Sequence, residues 1–264
     1  MKKILVLLLI LFSIICITSF SPDKKAKHLF KYGFKYIPAG KMELYDREVA
    51  VNDFYIFETE ITNKQYAEFL NYLLKKTRFD DYAICKIDSA GWNNALNFEN
   101  SYPADYHLTS EFADYPVVNI SYEAANLFCD WLENKLEKKI STVDVRLPNA
   151  EEWIYAAKGG KEDAEYPWEN ISPGKEKDFE LCNYNSPNDG TCLATNYAKS
   201  YFPNAYGLYN LSGNVAEMLN EKGHTRGGSW NSSIIQMKIT AADEYKGINP
   251  PSPYIGFRPV AVIK

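Results

Sequence analysis

The 264-residue chain is poor in the residues that build soft-metal and imidazole sites. It has five cysteines, with no C-x-x-C pair, and three histidines (His28, His107 and His224) that lie far apart in the sequence. Zinc and iron sites built on histidine need several imidazoles within reach of one ion, so such a site is not expected. The chain also lacks a Ser/Gly linker, an internal repeat or a long charge run from Phe34 onward, which favours one continuous domain.

An excess of positive charge is missing as well. Lysine and arginine total 29 against 34 aspartates and glutamates, and the formal net charge is −5. Nucleic acids and anionic membrane surfaces select basic proteins, so neither is expected as a partner. The hydrophobic fraction of 46% is that of a globular chain. The 20 tyrosines and five tryptophans indicate a loop-rich fold pinned by large rings, with exposed recognition aromatics as the alternative.

A long apolar run stands at the amino terminus, in MKKILVLLLILFSIICITSFSP. Lys2 and Lys3 precede the apolar residues and small residues follow them, which is the order of a secretory signal peptide. The run is shorter than the ~20 apolar residues of a spanning helix. We therefore expect residues 1–21 to be a signal peptide, cleaved after Ser19 or Ser21, and the protein to be exported.

The remaining chain is interpreted as an N-terminal lead over residues 22–33 and one domain over residues 34–264. The expected location is the periplasm, the outer-membrane surface or the outside of the cell, without an integral membrane segment after cleavage. Cys16 is an alternative lipid-attachment site, which the bulky Ile15 before it disfavours.

Three helices are predicted from periodicity and capping. In ITNKQYAEFLNYLLKK, Thr62 and Gln65 form a capping box ahead of apolar residues at helical spacing. Ser121 caps a second helix in NISYEAANLFCDWLENKL. Asn149 and Glu152 begin a third in LPNAEEWIYAAKGG.

Strands are predicted from alternation and aromatic content. FKYIPAG and VAVNDFYIF are typical strand segments, and YIGFRPVAVIK predicts a final strand. The intervals 79–115 and 160–202 are polar and rich in Asn, Pro, Gly and Tyr, so they are expected to be irregular loops.

The cysteines other than Cys16 are Cys85, Cys129, Cys182 and Cys192. An even number in an exported chain favours disulfides over reactive thiols. Cys182 and Cys192 enclose the turn-rich segment NYNSPNDGT, which a disulfide between them would close.

The segment NLSGNVAE has the composition of an oxygen-donor loop. Calcium takes six to eight oxygens from carboxylates, amides and main-chain carbonyls. Asn210 offers an amide oxygen, Glu217 a carboxylate, and Gly213 lets the loop turn its carbonyls inward. An ordinary turn is the alternative. A weaker segment of the same kind contains Asn183 and Asp189.

Six fragments resemble, in order, the sulfatase-modifying-factor domain of the formylglycine-generating enzymes. They are FKYIPAGKM, FYIFETEITNKQYAEFL, YPVVNISYEAANLFCDWL, VRLPNAEEWIYAAKGG, YGLYNLSGNVAEM with RGGSW, and GFRPV. They span residues 34 to 263. The resemblance implies an α+β fold related to C-type lectins, a single compact domain with much irregular loop and bound calcium.

The resemblance also implies calcium ligands. The first set is the side chains of Asn210 and Glu217 with the carbonyls of Gly213 and Val215. The second set lies near Asn183 and Tyr184, with Asp189 as its best carboxylate.

The family's catalytic cysteines are replaced. Active members have two cysteines after the Gly-Gly-Ser-aromatic motif, which bind copper(I) and oxidise a substrate cysteine to formylglycine. Ser232 and Met237 occupy the two positions here, and no cysteine follows Cys192. A hydroxyl and one thioether are poor copper(I) ligands, so no copper is expected. Ser229 and Trp230 remain, and with Ser232 and Met237 they are expected to line a groove for a partner.

Two further features accompany the replacement of the catalytic cysteines. Family members often pair a cysteine at the position of Cys129 with one where Pro259 stands, so Cys129 is either buried and free or joined to Cys85. The acidic pairs Glu58/Glu60 and Glu151/Glu152 lie at helix starts, where carboxylates favour the helix dipole, so they are not interpreted as catalytic.

These observations favour an exported, non-catalytic member of the family that is stabilised by calcium and binds an envelope protein or a glycan. The segment DYHLTSEFADYPVV is similar to gliding-motility and secretion lipoproteins of the Bacteroidetes type, which is an analogy of fold. The alternative is an oxidase or maturation enzyme that acts on exported proteins through a non-standard metal site. A purely structural role is the third hypothesis.

Overall fold

The computed structural model describes residues 24–92, 106–140, 142–169, 171–173, 181–185, 194–248 and 251–264. The helices in these residues are α1 (Lys24–Lys31), α2 (Asn63–Lys75), α3 (Phe79–Cys85), α4 (Tyr122–Glu137) and α5 (Ala150–Ala157), with 3₁₀ turns at Ser110–Phe112 and Ile234–Met237. The strands are β1 (Phe34–Ile37), β2 (Gly40–Leu44), β3 (Arg47–Val51), β4 (Phe54–Phe57), β5 (Val143–Arg146), β6 (Ala216–Met218), β7 (Thr225–Arg226), β8 (Ile255–Gly256) and β9 (Val260–Ile263).

The strands form three small sheets. The central sheet has the order β1-β4-β9-β5 and all its pairs are antiparallel. Strands β2 and β3 form a hairpin, whose turn residues Tyr45 and Asp46 both have positive φ, as a two-residue type I′ turn requires. The third sheet has the order β7-β6-β8, and the Gly-rich segment, residues 207–217 (GLYNLSGNVAE), leads into its middle strand, β6.

The three predicted helices are confirmed with their caps. Thr62 accepts from the backbone N–H of Gln65, and the Gln65 side chain accepts from the backbone N–H of Thr62. Asn149 and Glu152 form the same reciprocal pair at the start of α5. The Ser121 side chain accepts from the backbone N–H of Ala124 at the start of α4.

The core lies between the helices and the central sheet. Phe69 of α2 meets Phe128 and Trp131 of α4 with ring centroids 5.6 and 5.5 Å apart, and Phe128 meets Phe257 at 5.3 Å. Helix α1 belongs to this core, because Leu29 is fully buried. The predicted N-terminal lead therefore packs against the domain where the structure describes it.

All three strand predictions were too long, and within FKYIPAG strand β1 ends at Ile37. VAVNDFYIF divides into β3 and β4 at Asn52 and Asp53, whose residue types are disfavoured in strands. YIGFRPVAVIK divides into β8 and β9, which lie in different sheets. Pro259, which has no backbone N–H to donate, lies directly before β9, and its carbonyl accepts from the backbone N–H of Phe57 at 3.0 Å. This division places Arg258 between the two sheets.

Cys85 and Cys129 are free and buried, so the interpretation that joined them is wrong and the buried, free one is confirmed. Burial raises the pKa of the Cys85 thiol to about 12 and also raises the pKa of Cys129. Cys182 is buried, but Cys192 lies outside the described residues, so the disulfide between them stays a prediction.

The predicted signal peptide and Cys16 also lie outside the described residues. No helix among the described residues is long and apolar enough to cross a membrane.

Candidate functional site

The Gly-rich segment turns tightly between the third sheet and the core. Asn210, Gly213 and Asn214 have φ values of 52°, 77° and 63°, the left-handed region in which glycine and asparagine are least strained. At Gly213 a Cβ would lie 2.2 Å from the carbonyl oxygen of Asn183, so only glycine fits that approach. The backbone N–H of Asn214 donates to the same carbonyl at 2.7 Å. The first predicted calcium loop, which contains Asn214, is therefore hydrogen-bonded directly to the second, which contains Asn183.

Glu217 is held in a buried ion pair. Arg258 Nε lies 3.0 Å from both carboxylate oxygens and Arg258 Nη2 lies 2.7 Å from Oε1. Trp153 Nε1 donates to Oε2 at 2.7 Å. Both oxygens thus already accept hydrogen bonds, and the Glu217 and Arg258 side chains are 1% and 0% exposed. A cation at this carboxylate would have to compete with the guanidinium.

Glu60 is the residue that sequence reasoning missed. It lies two residues before the N-cap of α2, as the sequence indicates, but it is fully buried, with Asn214 Nδ2 donating to Oε1 at 2.9 Å and Asn210 Nδ2 donating to Oε2 at 3.3 Å. Burial raises its pKa to about 8, and the neighbouring Glu217 adds to the rise. Its place in the E-x-T-N element of the family resemblance was the available signal; hydrophobic periodicity gave none.

The positions of the family's cysteines carry different chemistry here. Ser232 Oγ donates to a Glu244 carboxylate oxygen and accepts from the backbone N–H of Ser229 at 2.8 Å. Ser229 Oγ lies 2.6 Å from Tyr245 Oη. Burial raises the pKa of Tyr245 to about 12, so the phenol stays protonated at neutral pH. The result is a satisfied hydroxyl network without a thiolate or an imidazole.

Met237, at the second cysteine position, packs in an apolar cluster with Tyr166, Cys182 and Tyr184. Its backbone carbonyl accepts from Ser212 Oγ at 2.6 Å. The thioether is fully buried.

The predicted groove residues do not form an open wall. Ser229, Ser232 and Met237 are 0% exposed and Trp230 is 4% exposed. The Trp230 ring stacks 6.1 Å from that of Trp92, and its N–H donates to the Pro253 carbonyl at 3.0 Å. These four side chains are therefore buried, whereas the sequence predicted that they line a groove for a partner.

The donor set fits a calcium ion in part. Asn210 is 8% exposed, and its Oδ1 is buried without a hydrogen-bond partner, as an amide oxygen reserved for a cation would be. Asn183 and Tyr184 of the second set are buried, and Asn183 Nδ2 donates to the Ala194 carbonyl. Asp189 lies outside the described residues. The described residues contain no group of three His, Cys, Asp or Glu side chains that could hold a metal ion.

Together, the small mixed sheets, the capped helices and the Gly-rich segment beside GGSW define a domain of the formylglycine-generating-enzyme type. The chain matches the family model "Sulfatase-modifying factor enzyme 1-like domain" over residues 28–263. The protein belongs to that family.

Known proteins agree with this assignment. Formylglycine-generating enzymes from Bos taurus and Streptomyces coelicolor are 26% and 28% identical over 197 and 193 residues, which is 65% and 64% of this chain. "Inactive C-alpha-formylglycine-generating enzyme 2" of Bos taurus is 26% identical over 194 residues, again 65% of the chain. The aligned part spans 49%, 58% and 60% of these three relatives.

Solved structures share the fold. CarF superposes with a TM-score of 0.64 at 21% identity, covering 88% of this chain and 98% of CarF. PvdO from Pseudomonas aeruginosa gives 0.61 at 19% identity, covering 86% and 93%. The predicted α+β, sulfatase-modifying-factor fold in one compact domain is confirmed.

Proposed function

We propose that this chain is an exported, non-catalytic member of its family, a calcium-stabilised module that binds a protein or a glycan in the cell envelope. The observation that carries the loss of catalysis is the pair Ser232 and Met237. One is a hydroxyl engaged by Glu244, and the other is a thioether packed among aromatic rings. Copper(I) prefers thiolates, and neither group supplies one.

Two further observations support the proposal. Relatives of similar identity include one named as an inactive formylglycine-generating enzyme, so the fold is also used without the oxidation. The amino terminus has the composition of an export signal. The similarity to gliding and secretion lipoproteins makes envelope machinery the first place to search for the partner.

The partner's contact surface is assigned to exposed loops rather than to the buried GGSW segment. Tyr197 and Phe202 are 49% and 56% exposed, and Leu108 is 86% exposed. Exposed aromatic side chains on loops are enriched in recognition surfaces.

Formylglycine formation tests the proposal. The purified chain is loaded with copper(I), supplied with oxygen and a cysteine-containing peptide, and the peptide is analysed by mass spectrometry for aldehyde. We expect no conversion. The Streptomyces coelicolor relative serves as the positive control, and Ser232→Cys/Met237→Cys reports whether thiols alone restore copper binding. Catalytic conversion by the unmodified chain would overturn the proposal.

A further inference from the structure

Positive charge is concentrated in one region of this acidic chain. Residues 24–31, 75–78 and 135–139 hold ten of its 29 lysines and arginines but only one of its 34 acidic residues. The first segment is α1, the second is the end of α2 with the turn after it, and the third is the end of α4 with the turn after it. The net charge of −5 is thus an average over a basic region, here called the lysine face, and an acidic remainder.

The three segments adjoin one another at Lys135. Its ammonium group lies 5.5 Å from the ring centroid of Tyr32, the residue that follows α1, and 3.4 Å from a carboxylate oxygen of Glu68 on α2. Lys75 and Lys138 line the groove between α2 and α4 beside it. The lysine face is therefore one continuous surface rather than three separate charge clusters.

The lysine face has few counter-charges in the part of the chain that the structure describes. Lys135 pairs with Glu68, and Arg78 pairs with Asp81. Lysines at seven positions outside the face are paired with a glutamate or an aspartate. Seven exposed lysines of the face form no such pair: Lys24, Lys27, Lys31, Lys75, Lys76, Lys138 and Lys139. Their summed potential favours binding of an anionic surface.

Helix dipoles explain only part of this arrangement. Cations at the C-terminal ends of α2 and α4 are favourable there, but Lys24 and Lys25 occupy the first turn of α1, which contains no acidic residue. Positive charge in a first turn opposes the dipole. Leu29 is buried in the core, while Lys24, Lys27 and Lys31 are exposed at i, i+3 and i+7 along the helix. This unfavourable local charge points to a ligand outside the chain.

Exposed apolar side chains adjoin the lysines. Leu74 and Phe79 are 41% and 63% exposed, and they flank Lys75 and Lys76 in the sequence. Ammonium groups next to exposed apolar side chains suit a bilayer interface, where the lysines meet lipid phosphates and the apolar groups enter the acyl boundary. A soluble polyanion would use the lysines alone. The apolar side chains therefore favour a membrane over an acidic protein.

We propose that the lysine face binds the headgroups of an anionic phospholipid membrane, with Leu74 and Phe79 entering the headgroup region. The sequence is consistent with this placement, because six residues separate α1 from Ile17 at the end of the apolar run in the expected signal peptide. The inference goes beyond the proposed function, since it concerns the surface on which the domain lies and not its protein or glycan partner.

Vesicle co-sedimentation tests the proposal. The chain expected after signal cleavage, residues 22–264, contains every element that the structure describes. It is mixed with vesicles of phosphatidylcholine alone, or of phosphatidylcholine with about one third phosphatidylglycerol. We expect binding to the phosphatidylglycerol vesicles only. The binding should disappear when the salt is raised from about 0.1 M to about 1 M, because the Debye length falls from ~10 to ~3 Å.

Three charge removals on α1 should weaken the binding strongly. Each lysine near an anionic surface contributes roughly fivefold in affinity, so Lys24→Gln/Lys27→Gln/Lys31→Gln should bind the vesicles roughly 100-fold more weakly. The corresponding triple arginine variant keeps the charge and should bind like the unmodified chain. Lys41→Gln/Lys161→Gln/Lys222→Gln removes the same charge from exposed lysines outside the face and should keep most of the binding.

The apolar contribution is measured with Phe79→Ala, which should weaken vesicle binding roughly tenfold without changing the binding of polyglutamate. The proposal is overturned if the unmodified chain does not prefer phosphatidylglycerol, or if the glutamine variant of α1 binds like the unmodified chain. It is also overturned if the control triple variant loses as much binding as the α1 variant. Tighter binding of polyglutamate than of vesicles would assign the face to an acidic protein instead.

A second variant covers a folding failure of the first. Should the glutamine variant of α1 not fold, Lys75→Gln/Lys76→Gln/Lys138→Gln takes its place with the same expectation. These three lysines are exposed and make no ion pair with a described residue, so their replacement leaves the core unchanged. The peptide-oxidation assay contains no vesicles, so its result is independent of this one.

Discussion

Replacing Arg258 with methionine should remove a large part of the domain's stability. The guanidinium contacts both oxygens of Glu217 and also donates to the Phe57 carbonyl at 2.9 Å and the Tyr209 carbonyl at 2.7 Å. Methionine fills much of the volume but leaves Glu217 with Trp153 alone. Removing one partner of a buried ion pair costs ~3–5 kcal/mol. Each carbonyl left unpaired adds ~1–3 kcal/mol.

We therefore expect Arg258→Met to lower the free energy of unfolding by at least about 5 kcal/mol, against a typical domain total of ~5–15 kcal/mol. The assay is urea unfolding followed by tryptophan fluorescence. Arg47→Met, which breaks an exposed pair with Glu151, is the control and should cost under ~1 kcal/mol. Adding Glu217→Gln to Arg258→Met should recover part of the loss. A loss below ~1 kcal/mol for Arg258→Met at an unchanged m-value would refute the reasoning.

Three smaller predictions follow from local geometry. Gly213→Ala and Gly247→Ala both put a side chain at positive φ, but only at Gly213 does the Cβ meet a backbone atom, the Asn183 oxygen. Gly247→Ala should cost ~1–2 kcal/mol and Gly213→Ala clearly more, as denaturant midpoints will show. Burial lowers the pKa of His107 from 6.5 to about 4. The unfolded chain therefore binds the proton more readily, so stability is lost as pH falls through that interval, and His107→Gln should flatten the dependence measured by urea unfolding. Thr62→Ala removes the α2 cap and should cost ~1 kcal/mol in the same assay.

Local elements were predictable where the signal is local. A capping box consists of two residues three positions apart, so the boxes that begin at Thr62 and Asn149 predicted the starts of their helices. Strand lengths were less predictable. The boundary between β8 and β9 exists because the two strands pair in different sheets, and the hydrophobicity of the sequence does not change there. A proline in the run was the available sign of that division.

The site was predictable in its location but not in its contacts. The sequence marks Asn210 and Glu217 as oxygen donors, and the structure brings both near Glu60. Glu217 and Arg258 are 41 residues apart and Glu60 and Asn214 are 154 apart, so no local pattern reports these pairs. The burial of Trp230 in GGSW likewise depends on the rings of Trp92 and Tyr254, which are far from it in the sequence.

The claim that the fold is kept without its copper chemistry is tested most directly by copper(I) titration of the purified chain under reducing, anaerobic conditions, with bound metals counted by mass spectrometry. The account predicts no tight, stoichiometric copper at the GGSW segment, because Ser232 and Met237 supply no thiolate. Tight binding of one copper(I) per chain that Met237→Leu abolishes would contradict it.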